Sequence, residues 1–393
     1  MEPKKIGGSM PLRAVIAIDS FKGSLSSIEA GKAAADGIRA VYENAETLVS
    51  PLADGGEGTV SAIVSATGGE MCRVTVTGPL GTPVLAEYGY IEARDTAVIE
   101  MSAAAGITLL SPEQRNPLYT TTYGVGEMIL DAIRKGCRRF LVGIGGSATN
   151  DGGVGMLSAL GFSFLDKDGR EIPRGAIGLA SLAKIETKNA HPALSECEFR
   201  IASDVENHLC GEKGCSAVFG PQKGATPEMV RDMDTWLSNY AALTAAATGR
   251  DKKDTAGAGA AGGIGFAFLS YLNSRLQSGI DLVIAETALE EKIRDADVVV
   301  TGEGRLDSQS VMGKAPVGVA RLAKKYGKPV IAFAGCVTED ARLCNAHGSD
   351  AFFPILRGVV TLDEAMDKEN AACNLKATAE QAFRLFRCAT EEK

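Results

Sequence analysis

Acids and lysines gather just after the short apolar runs of this sequence. RAVIAID (13–19) ends at Asp19 and passes into Ser20-Phe21-Lys22-Gly23-Ser24, and FRIASD (199–204) ends at Ser203-Asp204. DVVVTGEG (297–304) ends at Thr301-Gly302-Glu303-Gly304, with Asp307 and Lys314 close behind. Mg²⁺ takes oxygen ligands and lysine neutralises phosphate as a point charge, so the set suits a phosphorylated, Mg²⁺-bearing ligand. Asp and Ser at such places also cap helices, but the same theme after several runs favours a ligand. Glycine-rich stretches extend it. LADGGEGT (52–59) sets Asp54 and Glu57 around paired glycines at the start of TVSAIVSAT, where backbone N–H groups face an anion and the two acids suit a substrate hydroxyl. VGIGGSATNDGGVG (142–155) places bare backbone beside Ser147, Thr149, Asn150 and Asp151, and VFGPQKGAT (218–226) sets Gln222 and Lys223 in a turn before a helix.

The elements that must position these residues read as βα units. The β-branched runs alternate with longer helical patterns such as SIEAGKAAADGIRAVY and APVGVARLAKKY, which implies a largely parallel sheet covered by helices. The runs lack a period of two, as expected of strands buried on both faces. Residues 72–100 alternate more and carry a GPLG turn, hence hairpins and a different domain. A chain of 393 residues exceeds the usual size of one core, so two domains are expected. The fold class is α/β: a Rossmann-like parallel-sheet domain formed by both chain ends (11–75 and 291–393) and an inserted mixed α/β domain (76–290). An interdomain cleft is expected as the small-molecule site, with ligands beyond the carboxyl ends of the strands. Residues 1–9 read as an extension or expression remnant without fold content.

Several function classes fall away. The net charge of −8, with no long basic run, leaves no electrostatic footprint for nucleic acid or an anionic membrane. Nine scattered cysteines, an odd number, fit reduced thiols in a cytoplasm rather than a disulfide framework. Cys210 and Cys215 with His208 match no common zinc spacing. No apolar span approaches the ~20 residues of a membrane helix. GAGAAG (257–262) fits G-x-G-x-x-G, but GRDKKDTA precedes it where a buried strand is required. The Walker, protein-kinase and G-x-S-x-G signatures are missing, and the three histidines sit in polar, turn-like settings.

Taken in order, IDSFKGS, DGGEGT, GIGGSATNDGG, ASDVEN, VFGPQKGA, GAGAAGGIG and VVVTGEGRLDSQSVMGKAP closely resemble the type 1 glycerate kinase family, the ATP-dependent glycerate 2-kinases, across about residues 11–390. The resemblance implies two α/β domains and phosphoryl transfer from ATP to D-glycerate with Mg²⁺, forming 2-phosphoglycerate. Such transfer asks mainly for positioning and for cations against the moving charge. On that footing Asp204 or Asp19 accepts the hydroxyl proton, with Lys22 as a catalytic counter-charge. Substrate contacts fall to Ser20, Asp54, Glu57, Gly145, Gly146, Ser147, Asn150 and Asp151. ATP phosphates fall to Lys223, Gly262, Gly263, Gly302, Gly304 and Lys314, and Mg²⁺ to Glu303 and Asp307. His208 stands where the family commonly has proline, which alters that loop and the contacts of Asn207. Phosphorylation at the 3-hydroxyl, turnover of another small hydroxy acid, and a sugar-acid sensor are the alternatives. Glycerate and ATP are the expected partners, with a homodimer as one option for assembly.

Overall fold

The computed structural model describes residues 11–391 apart from Gln309 and Gly313; the stretch 1–9, expected as an extension, lies outside the described residues. Its strands run β1 (Arg13–Ile18), β2 (Glu46–Val49), β3 (Glu70–Thr77), β4 (Pro83–Ile91), β5 (Thr96–Glu100), β6 (Arg139–Gly143) and β7 (Ser163–Leu165). They continue as β8 (Lys184–Glu186), β9 (Glu198–Ala202), β10 (Ser274–Gln277), β11 (Val298–Leu306), β12 (Val330–Val337) and β13 (Ala351–Pro354). The chain divides into two compact units. One takes the described residues up to Asp54, Ser65–Thr67 and those from Ile280 onward; the other takes Gly55–Val64 and Gly68–Gly279.

The first unit is built on an all-parallel sheet of order β13-β12-β11-β1-β2. Alternate residues of β1 are buried on opposite faces, which is why the run shows no period of two. Ile16 and Ile18 pack with Val298, Val300 and Phe333 beneath the helices Ser27–Arg39 and Lys368–Glu391. On the other face Ala332 and Ala334 meet Val317 of the helix Ala315–Lys325. The helix Ser27–Arg39 starts cleanly because Ser26 and Glu29 form a reciprocal capping box. Strand order reverses between β1 and β11: β1 leads to β2 on one side, and β11 leads to β12 and β13 on the other. The carboxyl ends of β1 and β11 therefore flank a topological switch point, where open α/β sheets leave a crevice.

The second unit holds a mixed sheet of order β10-β9-β6-β5-β4-β3. The hairpin pattern of residues 72–100 becomes the antiparallel β3-β4-β5, and β5, β6, β9 and β10 run parallel. Its core is aromatic, with Phe140 stacked on Phe199 at 4.7 Å between centroids and Tyr240 edge-on to Phe266 at 5.3 Å. All nine cysteines are free thiols. Among the described residues no helix is long and apolar enough to cross a membrane.

Candidate functional site

A cavity of about 490 Å³ opens at the switch point of the parallel sheet, lined by Asp19, Ser20, Lys22, Asp54, Glu303, Gly304, Arg305, Asp307 and Lys314. Asp19 continues β1, its N–H donating to Gly302 O at 2.9 Å and its Oδ1 accepting the Ser20 N–H at 2.6 Å. The residue is 6% exposed. Its carboxyl is pushed from 3.8 up to about 7, first by burial and then by the charges of Asp54 and Glu303, with the Ser20 N–H and Lys22 pulling the other way. Glu303, on β11, is also raised by burial, against a hydrogen bond from Ser310 and the charge of Lys314, whose Nζ lies 4.0 Å from Glu303 Oε2. Arg305 Nε pairs with Asp307 Oδ2 at 3.2 Å. β11 runs on to Leu306, past the glycines expected to end it, because Arg305 and Leu306 still pair with Cys336 and Val337 of β12. Gly302 is therefore inside a sheet, where a side chain would stand 2.1 Å from Phe333 O.

The glycine loop after β6 belongs to the second unit. Gly145 and Gly146 are exposed at its tip, whereas Ser147 through Gly153 are buried. The loop is tied down from several sides: Ile107 N–H to Gly146 O at 2.8 Å, Ala148 N–H to Ala105 O at 2.9 Å and Thr120 Oγ1 to Ala148 O at 2.8 Å. Asp151 is expected to bind substrate, yet its carboxylate is buried on the loop's own structure. It accepts from Thr122 N and Oγ1, each at 2.9 Å, and from the N–H groups of Gly153 and Gly155 at the start of the helix Val154–Ala159. Lys223 is 2% exposed, its Nζ donating to Ser147 Oγ at 2.7 Å and Thr149 O at 2.6 Å. Burial pushes its ammonium down to about 8. Asn150 Nδ2 donates to Ser216 Oγ at 2.8 Å. Gly262 and Gly263, in left-handed conformations, press against the backbone of Thr149 and Gly152 with no room for a side chain.

Other expected residues belong to the second unit. Asp204 is exposed and its Oδ1 accepts the Gly279 N–H at 3.1 Å. Glu57 is exposed on the turn before the helix Thr59–Thr67. The N–H groups at that helix start do hold an anion, and it is the chain's own: Glu100, at the end of β5, accepts from Val60 N at 2.9 Å and also from Gly58 and Thr59. Glu100 and Ser310 are the residues the sequence reading missed; Glu100 carried the same strand-end signal as Asp19. Asn207, beside the unusual His208, donates to Lys213 O at 2.7 Å. A larger hollow of about 640 Å³ lies at the opposite, amino ends of β1 and β2, where Arg13 and Glu46 pair with each other at 3.0 Å; it lacks the strand-end acids.

A family model described as the glycerate kinase family matches residues 14–387. A glycerate kinase of Haemophilus influenzae is 47% identical over 375 residues, covering 95% of this chain and 99% of the relative. A glycerate 2-kinase of Escherichia coli is 48% identical over 354 residues, covering 90% and 93%. Among solved structures, that of a protein assigned as glycerate kinase 2 from Salmonella typhimurium LT2 matches with a TM-score of 0.88 at 46% identity, covering 97% of this chain and 100% of the other. A chain that the family model matches over residues 14–387, and that is alike to these kinases over nearly its whole length, belongs to the glycerate kinase family.

Proposed function

We propose that this kinase transfers the γ-phosphoryl group of ATP to the 2-hydroxyl of D-glycerate with Mg²⁺, forming 2-phospho-D-glycerate. The observation that carries the reading is the cavity at the switch point, where a buried carboxylate stands among lysines and further acids. The relative named glycerate 2-kinase supports the acceptor position.

Asp19 is the base this geometry supports. With its carboxyl near 7 it is partly ionised at neutral pH and suited to take the hydroxyl proton as the new P–O bond forms. Asp204, the other candidate, is exposed and its Oδ1 accepts the Gly279 N–H. Lys22 and Lys314 set positive charge against phosphate oxygens, Gly304 leaves room for them, and Ser20 and Asp54 orient the substrate hydroxyl. Among the described residues no group of three or more His, Cys, Asp or Glu side chains is assembled for a metal. Mg²⁺ in kinases uses one or two carboxylates plus substrate phosphates and water, and Glu303 and Asp307, which line the cavity, would hold it. When bound, the ion offsets negative charge on the transferring phosphates. Free thiols agree with a cytoplasmic setting.

A coupled ADP-release assay with D-glycerate and Mg-ATP tests the activity, and phosphorus NMR of the product tests the position. We expect turnover to 2-phosphoglycerate, abolished by Asp19→Asn and retained by Asp204→Asn. A 3-phosphoglycerate product would reassign the acceptor hydroxyl, and tight glycerate binding without turnover would leave a sensor.

A further inference from the structure

We propose that Lys223 is a positioning residue that acts through Ser147, making that hydroxyl a donor to an oxyanion, carboxylate or phosphoryl, at the exposed Gly145–Gly146 tip. An ammonium can only donate, and this one donates to Ser147 Oγ and to Thr149 O. Among the described residues Lys223 is the partner of Ser147 Oγ, so the serine's own hydrogen is left for an acceptor that is not protein. The lysine itself is out of a ligand's reach, buried beside the Cys215 thiol and the Asp151 carboxylate. Beneath it, Thr149 Oγ1 and Asn150 Oδ1 are buried without a protein partner, which marks this as a polar pocket rather than an ordinary core. The glycines next to Ser147 bring bare backbone N–H groups to the same edge, the donor arrangement that oxyanions select. Lysine here therefore does not meet the ligand as a counter-ion; it fixes which way a neighbouring hydroxyl points.

The inference rests on the phosphoryl-transfer reading above. The test is steady-state kinetics of the full chain with D-glycerate and Mg-ATP varied in turn, for Ser147→Ala, Lys223→Met and the double variant. Each single change should raise the same KM at least about tenfold with a smaller change in kcat, since one hydrogen bond to a charged ligand is lost in both. The double variant should be no worse than the worse single one, because the two residues act in series. A rise in the glycerate KM identifies a carboxylate; a rise in the ATP KM identifies a phosphoryl group. Lys223→Gln, which keeps a donor of similar reach, should stay within about fivefold of the wild type. Multiplicative losses in the double variant, or a Lys223→Gln defect as large as that of Ser147→Ala, would overturn the proposal. An inactive wild-type enzyme would instead remove the reading on which it rests.

Discussion

As the proposed base, Asp19 would serve two opposed demands. Accepting a proton requires the carboxylate, while burial beside Asp54 and Glu303 favours the neutral acid. Its folded pKa of about 7 lies above the ordinary 3.8, so its contribution to stability is fully present below about pH 4 and is lost as pH rises through 7. Asp19→Asn should therefore stabilise the protein on the order of 2–4 kcal/mol at pH 8 and hardly at pH 4, while lowering turnover at least about a hundredfold. Calorimetry at both pH values beside the assay checks this; a stability gain independent of pH would refute the account. The strand-end acids and lysines of the cavity were legible in the sequence because a parallel sheet delivers such positions to one edge. Glu100 carried the same strand-end signal, but what it and Ser216 bond was not legible, since their partners Val60 and Asn150 stand 40 and 66 residues away and meet them only in the folded chain.

At the scale of elements, the helix Ala260–Tyr271 carries a sharp irregularity. Ala261, Gly262 and Gly263 follow one another at φ of 52°, 71° and 90°. Glycine adopts such angles freely, but alanine pays in steric strain. Ala261→Gly should raise stability by about 1 kcal/mol, measured by chemical denaturation; destabilisation would mean that the methyl packs better than its backbone angle costs. GAGAAG does not have the strand that a dinucleotide fingerprint needs before it, because the chain leading into it is turn and loop. The βα alternation and the hairpins were equally legible, because their periods differ. The end of β11 was not: Gly302 and Gly304 look like punctuation locally, and only pairing with β12 carries the strand through them.

For the whole molecule, the second unit is a continuous stretch with its own sheet and core, apart from the three residues Ser65–Thr67. A fragment of residues 55–279 should melt cooperatively on its own, followed by circular dichroism. A fragment of 76–290, which removes most of β3 from its pairing with β4, should not. Failure of the longer fragment would show that its core depends on the other unit. The first unit is instead assembled from distant stretches, its central neighbours β1 and β11 pairing residues such as Ala14 and Val298, 284 positions apart. During synthesis at about 5–20 residues per second, β1 is on the ribosome's outside for roughly a quarter of a minute to a minute before β11 exists. Throughout that interval its apolar run has only the four-residue β2 as a strand neighbour. The strand that carries Asp19 is thus made early and secured late, and chaperone dependence in the cell should trace to it.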